Sequence, residues 1–222
     1  MDISIFDVLG PVMIGPSSSH TAGAAKLARI AAKIAGEGFV KVLFELHGSF
    51  EKTGKGHGTD KALLAGAMGI REDDERIREA FAIAKRDQFC YEFQKADLSG
   101  YHENTVRLTF FYEDGKKGVI IGSSIGGGRI LIHKIDGMQA GITAERPTLL
   151  IQQRDVKGVI NEISGVLVKQ GLNIGIMQLT RQEKGKVAST VIEMDQEIPP
   201  EVEEQLKRQA NILAVTIINP EQ

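Results

Sequence analysis

The chain has 222 residues, of which 42% are hydrophobic and 25% are charged, and its formal net charge is −2. This is ordinary globular usage, so the chain can form a packed core as one large domain or as two smaller ones. A near-neutral chain without a Lys/Arg-rich stripe is a poor candidate for nucleic acid binding, and no stretch reaches the roughly 18 apolar residues of a membrane span. The simplest interpretation is a cytoplasmic protein with no nucleic acid partner and no membrane contact.

The apolar pattern of the first two-thirds of the chain predicts a mixture of helices and strands. In chain order these are helix 22–35, strand 40–46, a glycine loop over 54–58, helices 61–68 and 73–86, and strands 106–112, 119–124 and 129–135. Thr59 or Asp60 is expected to cap helix 61–68. These elements define an α+β fold with an antiparallel sheet.

A different pattern begins near residue 148. Residues 137–147 lose periodicity and indicate a linker or the last edge of the first domain. Beyond them the sequence predicts strand 148–153, helix 158–169, strands 173–181 and 186–194, helix 199–209 and strand 212–218. This βαββαβ order is ferredoxin-like, so two domains are expected, residues 1–146 and residues 147–222.

A serine-rich segment, GPSSSHT at Gly15–Thr21, lies directly before the first predicted helix, and we call it the Ser/His segment. The first turn of a helix presents unpaired N–H groups and the positive end of the helix dipole, which favour a carboxylate or a phosphate. Four hydroxyls can add hydrogen bonds, those of Ser17, Ser18, Ser19 and Thr21. Because an N-cap needs only one serine, three in a row followed by a histidine favour a ligand over a plain cap.

Among the histidines, His57 is the best single candidate for a general base, because flanking glycines keep bulky neighbours away from its ring. The alternative is a solvent-exposed loop histidine. His47 is the weaker candidate; it follows strand 40–46, where polar groups of several segments can converge. His102, in a polar loop, and His133, in a strand, are expected to be ordinary. No close spacing of His, Cys and carboxylate residues indicates a metal site in this chain.

One cysteine and one glycine cluster complete the candidates. Cys90 is expected to be a semi-buried structural thiol. As the single cysteine of the chain it cannot hold a four-iron cluster, which needs several thiolates. The segment Ser123–Gly128, with Gly126 and Gly127, can be either an amide nest for an anion or a flexible hairpin tip.

Three motifs follow one another along the chain: GPSSSHTAG, HGSFEKTGKGHGTDKA and SSIGGGRI. In this order they resemble the β chain of the two-subunit iron-sulfur L-serine dehydratases, over roughly the first two-thirds of the chain. The last third resembles the ACT domain that follows in that family. Residues 154–160, RDVKGVI, are similar to the first ACT loop, and Leu172–Ile174 is similar to the start of the second ACT strand.

The resemblance implies an L-serine ammonia-lyase that produces pyruvate and ammonia without pyridoxal phosphate. It implies a partner α subunit with the cysteines of an oxygen-sensitive [4Fe-4S] cluster, so this chain is expected to be inactive alone. An open iron would act as a Lewis acid on the leaving hydroxyl while a protein base removes the α-proton. That base is His57, with His20 as the competing candidate. Under this scheme Ser17, Ser18, Ser19 and Thr21 are expected to hold the substrate carboxylate or line its pocket. His47, Gly126 and Gly127 are further substrate-binding candidates from their positions in the sequence.

For the ACT-like domain, the resemblance implies regulation by a small amino acid bound between paired copies. The residues implied are Asp155, Lys157, Gly158 and Asn161. The alternative is a domain that only joins two subunits by self-association. For the whole chain, the alternative is a non-catalytic, amino-acid-binding regulatory protein, since similar domains in phosphoglycerate dehydrogenases serve allostery.

Overall fold

The computed structural model of the chain describes residues 17–220. The chain divides into two compact units, Met1–Asp136 and Gly137–Gln222. The sequence instead predicts a division after residue 146, because the segment 137–147 lacks clear periodicity. That segment contains a short strand, Met138–Ile142. Within the described residues, no helix is long and apolar enough to cross a membrane.

The helices of the first unit follow the predicted order with some differences. They are a π-helical turn Ser18–Ala22, α1 Gly23–Ala35, α2 Gly48–His57, α3 Thr59–Ala67, a 3-10 helix Glu75–Glu79 and α4 Ala80–Arg86. Helix α1 buries its alanine-rich face against α3. At Gly66 of α3 an added Cβ would lie 2.1 Å from the carbonyl oxygen of Ala25, so the two backbones are in direct contact. Small residues on both helices therefore set their close spacing.

Three helix predictions are wrong in detail. The glycine loop expected over 54–58 is helical, because α2 continues to His57. Each glycine costs a helix about 1 kcal/mol relative to alanine, but the fully buried Phe50 anchors α2 and offsets that cost. Gly58, with φ of 72°, is the N-cap of α3, and neither predicted residue caps that helix. The first half of predicted helix 73–86 is the 3-10 helix.

The sheet of the first unit confirms the four predicted strands and adds a fifth, β2 at Cys90–Lys95, which the sequence does not predict. These are β1 Phe39–Leu46, β2 Cys90–Lys95, β3 Thr105–Tyr112, β4 Lys117–Gly126 and β5 Arg129–Ile135, in spatial order β2-β1-β3-β4-β5. The sheet is not wholly antiparallel, because β1 and β2 are parallel. The helices between them form the crossover that parallel strands require. Cys90, predicted to be semi-buried, is exposed at the start of the edge strand β2.

The second unit has the predicted βαββαβ order. After β6, Met138–Ile142, it comprises β7 Thr148–Arg154, α5 Val159–Lys169, β8 Ile174–Arg181, β9 Val187–Met194, α6 Pro200–Lys207 and β10 Ile212–Ile218. Strands β10-β7-β9-β8 form an antiparallel sheet in that order. One face of the sheet packs on both helices around Ile151, Ile163 and Val202. The ferredoxin-like prediction is confirmed.

Candidate active site

The described part of the Ser/His segment begins at Ser17, so Gly15 and Pro16 lie outside it. Ser17 has extended backbone, and its Oγ accepts a hydrogen bond of 3.2 Å from the backbone N–H of His20. Its carbonyl oxygen accepts from the N–H of Thr21 at 2.9 Å. Ser17 is therefore the N-cap. One serine fills that role, which leaves the half-buried Ser18 and Ser19 hydroxyls for other partners.

The imidazole of His20 is held at both nitrogens. Nδ1 lies 3.2 Å from Ser17 Oγ, and Nε2 lies 3.0 Å from the Oγ of Ser49, at the start of α2. The ring of Phe50 packs edge-on against it at a centroid distance of 5.6 Å. Two hydroxyls and one aromatic ring thus fix the orientation of this histidine. Sequence reasoning missed Ser49 and Phe50, whose only signal is the polar HGSF run directly after β1.

His57 lies at the end of α2 beside His20. The two ring centroids are 5.1 Å apart with an interplanar angle of 41°. Thr21 Oγ1 donates a hydrogen bond of 3.4 Å to the carbonyl oxygen of His57, which ties the end of α2 to the Ser/His segment. The ring of His57 itself is exposed. The structure therefore brings the two candidate bases together, one anchored and one open to solvent.

The electrostatics of the pair favour a neutral His20. Burial lowers the pKa of His20 below its ordinary value, and the nearby His57 lowers it further. Both causes act in the same direction, because low-dielectric surroundings and a second imidazolium each disfavour the protonated form. At neutral pH, His20 is thus a neutral imidazole next to a histidine whose ring faces water.

The glycine turn between β4 and β5 borders the same group. A Cβ at Gly126 would lie 4.0 Å from Ser19 Oγ, and the backbone at Gly126 and Gly127 has φ of 95° and 61°. Ser124, just before the turn, has a fully buried Oγ with no hydrogen-bond partner among residues 17–220. It packs against Gly23, where an added Cβ would lie 2.1 Å from that oxygen. Gly23 thus lets the turn approach the Ser/His segment.

Three histidines are occupied elsewhere. His47 Nδ1 accepts a hydrogen bond of 3.1 Å from the N–H of Leu98, and within the described chain it makes no hydrogen bond to the Ser/His segment. His102 Nδ1 accepts from a loop N–H at 3.1 Å. His133 Nε2 lies 2.7 Å from the buried Ser123 Oγ, which confirms it as a satisfied sheet histidine.

The four predicted ACT residues surround the start of α5 but differ in whether they are accessible to a ligand. Asp155 Oδ2 accepts hydrogen bonds from the N–H of Gly185 at 2.9 Å and from Arg181 at 2.8 Å, and these two bonds, in that order, lower its pKa. Its carboxylate is therefore committed to the β8–β9 turn. The other three residues stay accessible: Gly158, with φ of 91°, is the N-cap of α5, and the side chains of Lys157 and Asn161 are exposed.

The lowered histidine pKa values predict acid sensitivity of the fold. Burial lowers the pKa of both His20 and His133 below the ordinary 6.5, with smaller contributions from His57 and His102 respectively. As the pH falls below about 6.5, the unfolded chain binds these protons before the folded chain does. The free energy of unfolding is therefore expected to decrease until the pH reaches the histidine pKa values of the folded state. Stability is fully present above that window.

Urea titrations followed by circular dichroism between about pH 5 and pH 8 measure this effect, because carboxylates keep their charge there. His133→Asn removes one of the two groups and is expected to flatten the profile. The exposed substitution Lys52→Ala serves as control and should leave the slope unchanged. A pH-independent free energy of unfolding in the unmodified chain contradicts the prediction.

Fold and site together define a class: an α+β protein that joins a helix-terminal Ser/His site to a ferredoxin-like unit. The family model "Serine dehydratase beta chain" matches residues 4–88, and the "ACT domain" model matches residues 148–211. The L-serine dehydratase β chain of Peptoniphilus asaccharolyticus is 40% identical over 195 residues, which cover 87% of this chain and 88% of that one. The probable L-serine dehydratase β chain of Bacillus subtilis is 39% identical over 215 residues, or 97% of each chain.

This chain belongs to the family of L-serine dehydratase β chains, and its second unit is an ACT domain. A more distant relative is the D-3-phosphoglycerate dehydrogenase of Methanocaldococcus jannaschii, which is 30% identical over 116 residues, 52% of this chain and 22% of that enzyme. The resemblance drawn from the three sequence motifs is confirmed.

Proposed function

We propose that this chain supplies half of an active site that converts L-serine to pyruvate and ammonia, the other half coming from a partner α subunit. The observation that carries this proposal is the pairing of His20 and His57, at a centroid distance of 5.1 Å, directly beside a helix start rich in hydroxyls. The substrate amino acid needs a site for its carboxylate and a base for its α-proton. This group of residues offers both.

Within the site, Ser18 and Ser19 bind the substrate carboxylate. Their hydroxyls remain for a ligand, because Ser17 serves as the cap and Thr21 donates to the carbonyl of His57. The positive end of the α1 dipole adds to the attraction for an anion. Gly126, which borders Ser19, and the neighbouring Gly127 would line the carboxylate site. His47 makes its hydrogen bonds away from the Ser/His segment, so we assign it a supporting role at the site.

His57 acts as the base that removes the α-proton. Its exposed ring can reach a substrate supplied from outside this chain, whereas both nitrogens of His20 already contact hydroxyls. His20 is accordingly the orienting partner of the pair, and His57 is the proton acceptor.

An iron-sulfur cluster does not fit the donor set of this chain. Its single cysteine, Cys90, is exposed on an edge strand, and residues 17–220 hold no group of three His, Cys, Asp or Glu that is arranged to bind a metal. A four-iron cluster needs several thiolates. We therefore assign the [4Fe-4S] cluster to the α subunit.

The ACT domain is proposed to bind a regulatory amino acid and to self-associate. The left-handed Gly158 leaves the first N–H groups of α5 open toward a carboxylate, with Lys157 and Asn161 exposed alongside. Asp155 serves instead as a brace for the β8–β9 turn, through its bonds to Arg181 and Gly185. L-serine, the proposed substrate, is the first ligand to consider.

Anaerobic reconstitution tests the proposed function. Neither this chain nor a cluster-bearing α subunit alone should form pyruvate from L-serine, whereas the mixture should. The double substitution Ser18→Ala with Ser19→Ala is expected to lower kcat/KM by about 10- to 100-fold, the usual effect of losing charge-assisted hydrogen bonds. The exposed Ser99→Ala is the control. If the mixture lacks activity, or if the double variant changes only the response to added amino acids, the chain is a regulatory protein instead.

A further inference from the structure

The junction between β1 and α2 is fastened to the start of β3 at successive residues. The N–H of His47 donates to the carbonyl oxygen of Thr105 at 3.0 Å, and the N–H of Ser49 donates to that of Glu103 at 2.8 Å. Between them, Gly48 has φ of 58°, and a Cβ there would lie only 2.6 Å from the same oxygen of Glu103. The backbone that carries Ser49 is thus held against the segment before β3.

That segment rests in turn on a buried chain of polar contacts. Thr105 Oγ1 donates to the carbonyl oxygen of His102 at 2.5 Å and lies 2.6 Å from Ser123 Oγ. Ser123 Oγ lies 2.7 Å from His133 Nε2. Thr105 and Ser123 are fully buried. Because buried polar groups are costly to separate, the network gives the segment few alternative positions.

This rigid support ends at the imidazole of His20. Ser49 Oγ lies 3.0 Å from Nε2, and Phe50, the next residue and fully buried, packs against the same ring. With Nδ1 held by Ser17, the second hydroxyl removes the remaining freedom of the ring to turn about its Cβ–Cγ bond. Ser49 comes from a segment 29 positions away from His20. It therefore fixes His20 relative to α2, which also carries His57.

We infer that Ser49 is a positioning residue, which holds His20 in the orientation that the His20–His57 pair needs to accept the substrate α-proton. The inference rests on the proposed function for its catalytic meaning, but the positioning itself is a property of the free chain. Ser49 does not touch the reacting atoms in this scheme. It acts through His20 by fixing the imidazole in its half-buried place.

Two measurements on the full chain and its complex test this role. In the chain alone, histidine ring nitrogen NMR is expected to show altered His20 signals in Ser49→Ala. A released ring gains water, so the pKa of His20 should rise toward the ordinary 6.5. Among the described residues, His57 is the titratable group that acts on His20. In the reconstituted enzyme, we expect kcat to fall about tenfold with little change in KM and the acid limb of the pH profile to move to higher pH.

Matched variants separate positioning from general damage. Ser49→Thr keeps the hydroxyl and should restore both the His20 signals and kcat, whereas Ser49→Cys keeps the side-chain size with a weaker partner and should shift both in the same direction as Ser49→Ala. The exposed Ser99→Ala should change neither. Unaltered His20 signals and pKa in Ser49→Ala overturn the positioning role. An inactive wild-type complex overturns the proposed function instead, and the NMR result is unaffected by it.

Discussion

His57→Asn is expected to lower kcat of the reconstituted enzyme by about 10²- to 10⁴-fold, the range for loss of a general base. The exposed ring of His57 is the one imidazole of the pair whose nitrogens are free of the two serine hydroxyls that hold His20. Asparagine has a similar size and polarity but accepts no proton near neutral pH. The KM for L-serine should change much less than kcat, since the proposed carboxylate site lies on the Ser/His segment.

The measurement is steady-state pyruvate formation, with the visible spectrum of the cluster recorded on the same samples. An unchanged spectrum shows that the partner subunit is intact. Lys52→Ala lies on the same helix, is exposed, and should keep full activity. Near-normal turnover of His57→Asn rules out the base role. In that case His20→Asn becomes the deciding variant, because His20 is the other histidine of the pair.

Gly66→Ala is expected to have the largest effect on stability. The new Cβ would lie 2.1 Å from the carbonyl oxygen of Ala25 and 2.9 Å from its carbonyl carbon, and backbone atoms cannot turn away as a side chain can. Helices α1 and α3 must separate, so we expect a loss of more than about 3 kcal/mol or failure of the first unit to fold. Because α1 follows the Ser/His segment directly, activity should be lost as well.

Gly165→Ala is the matched control for that substitution. Gly165 also lies within a helix, α5, but an added Cβ there meets no heavy atom within 4 Å. The same change should therefore raise the free energy of unfolding by about 0.5–1 kcal/mol through helix propensity alone. Urea denaturation followed by circular dichroism compares the two. Similar effects of both substitutions would show that close contact of α1 and α3 does not limit stability.

Sequence patterns were sufficient to predict an element where its apolar residues follow a single regular period. The alanine-rich face of α1 follows from a helical period, the strand β5 at Arg129–Ile135 from alternation, and the βαββαβ order from the two periods in turn. Helix α2 was missed for the opposite reason. Its glycines favour a loop locally, whereas the fully buried Phe50, whose surroundings the local sequence does not show, stabilises the helix.

The candidate site was predictable in its residues but not in its geometry. The hydroxyls and histidines are visible as motifs, yet nothing local shows that His57 packs beside His20 or that Ser49 reaches its Nε2. Such contacts depend on the fold of α2 and on the β1–β3 pairing. The hydrogen bond between Asp155 and Arg181 was equally unpredictable, because a carboxylate in a sequence motif gives no indication of its tertiary partner.

The π-helical turn Ser18–Ala22 inserts one residue into the start of α1, as the bond from the N–H of Gly23 to the carbonyl oxygen of Ser18 shows. An extra residue rotates everything before it by about 100° around the helix axis. Thr21 and Ala22 are thereby buried on the same side as the buried face of α1, while Ser18 and Ser19 remain half-buried. The π-helical turn thus sets the direction of the buried residues of α1 apart from that of the half-buried serines. Substitutions in one set therefore need not reorient the other.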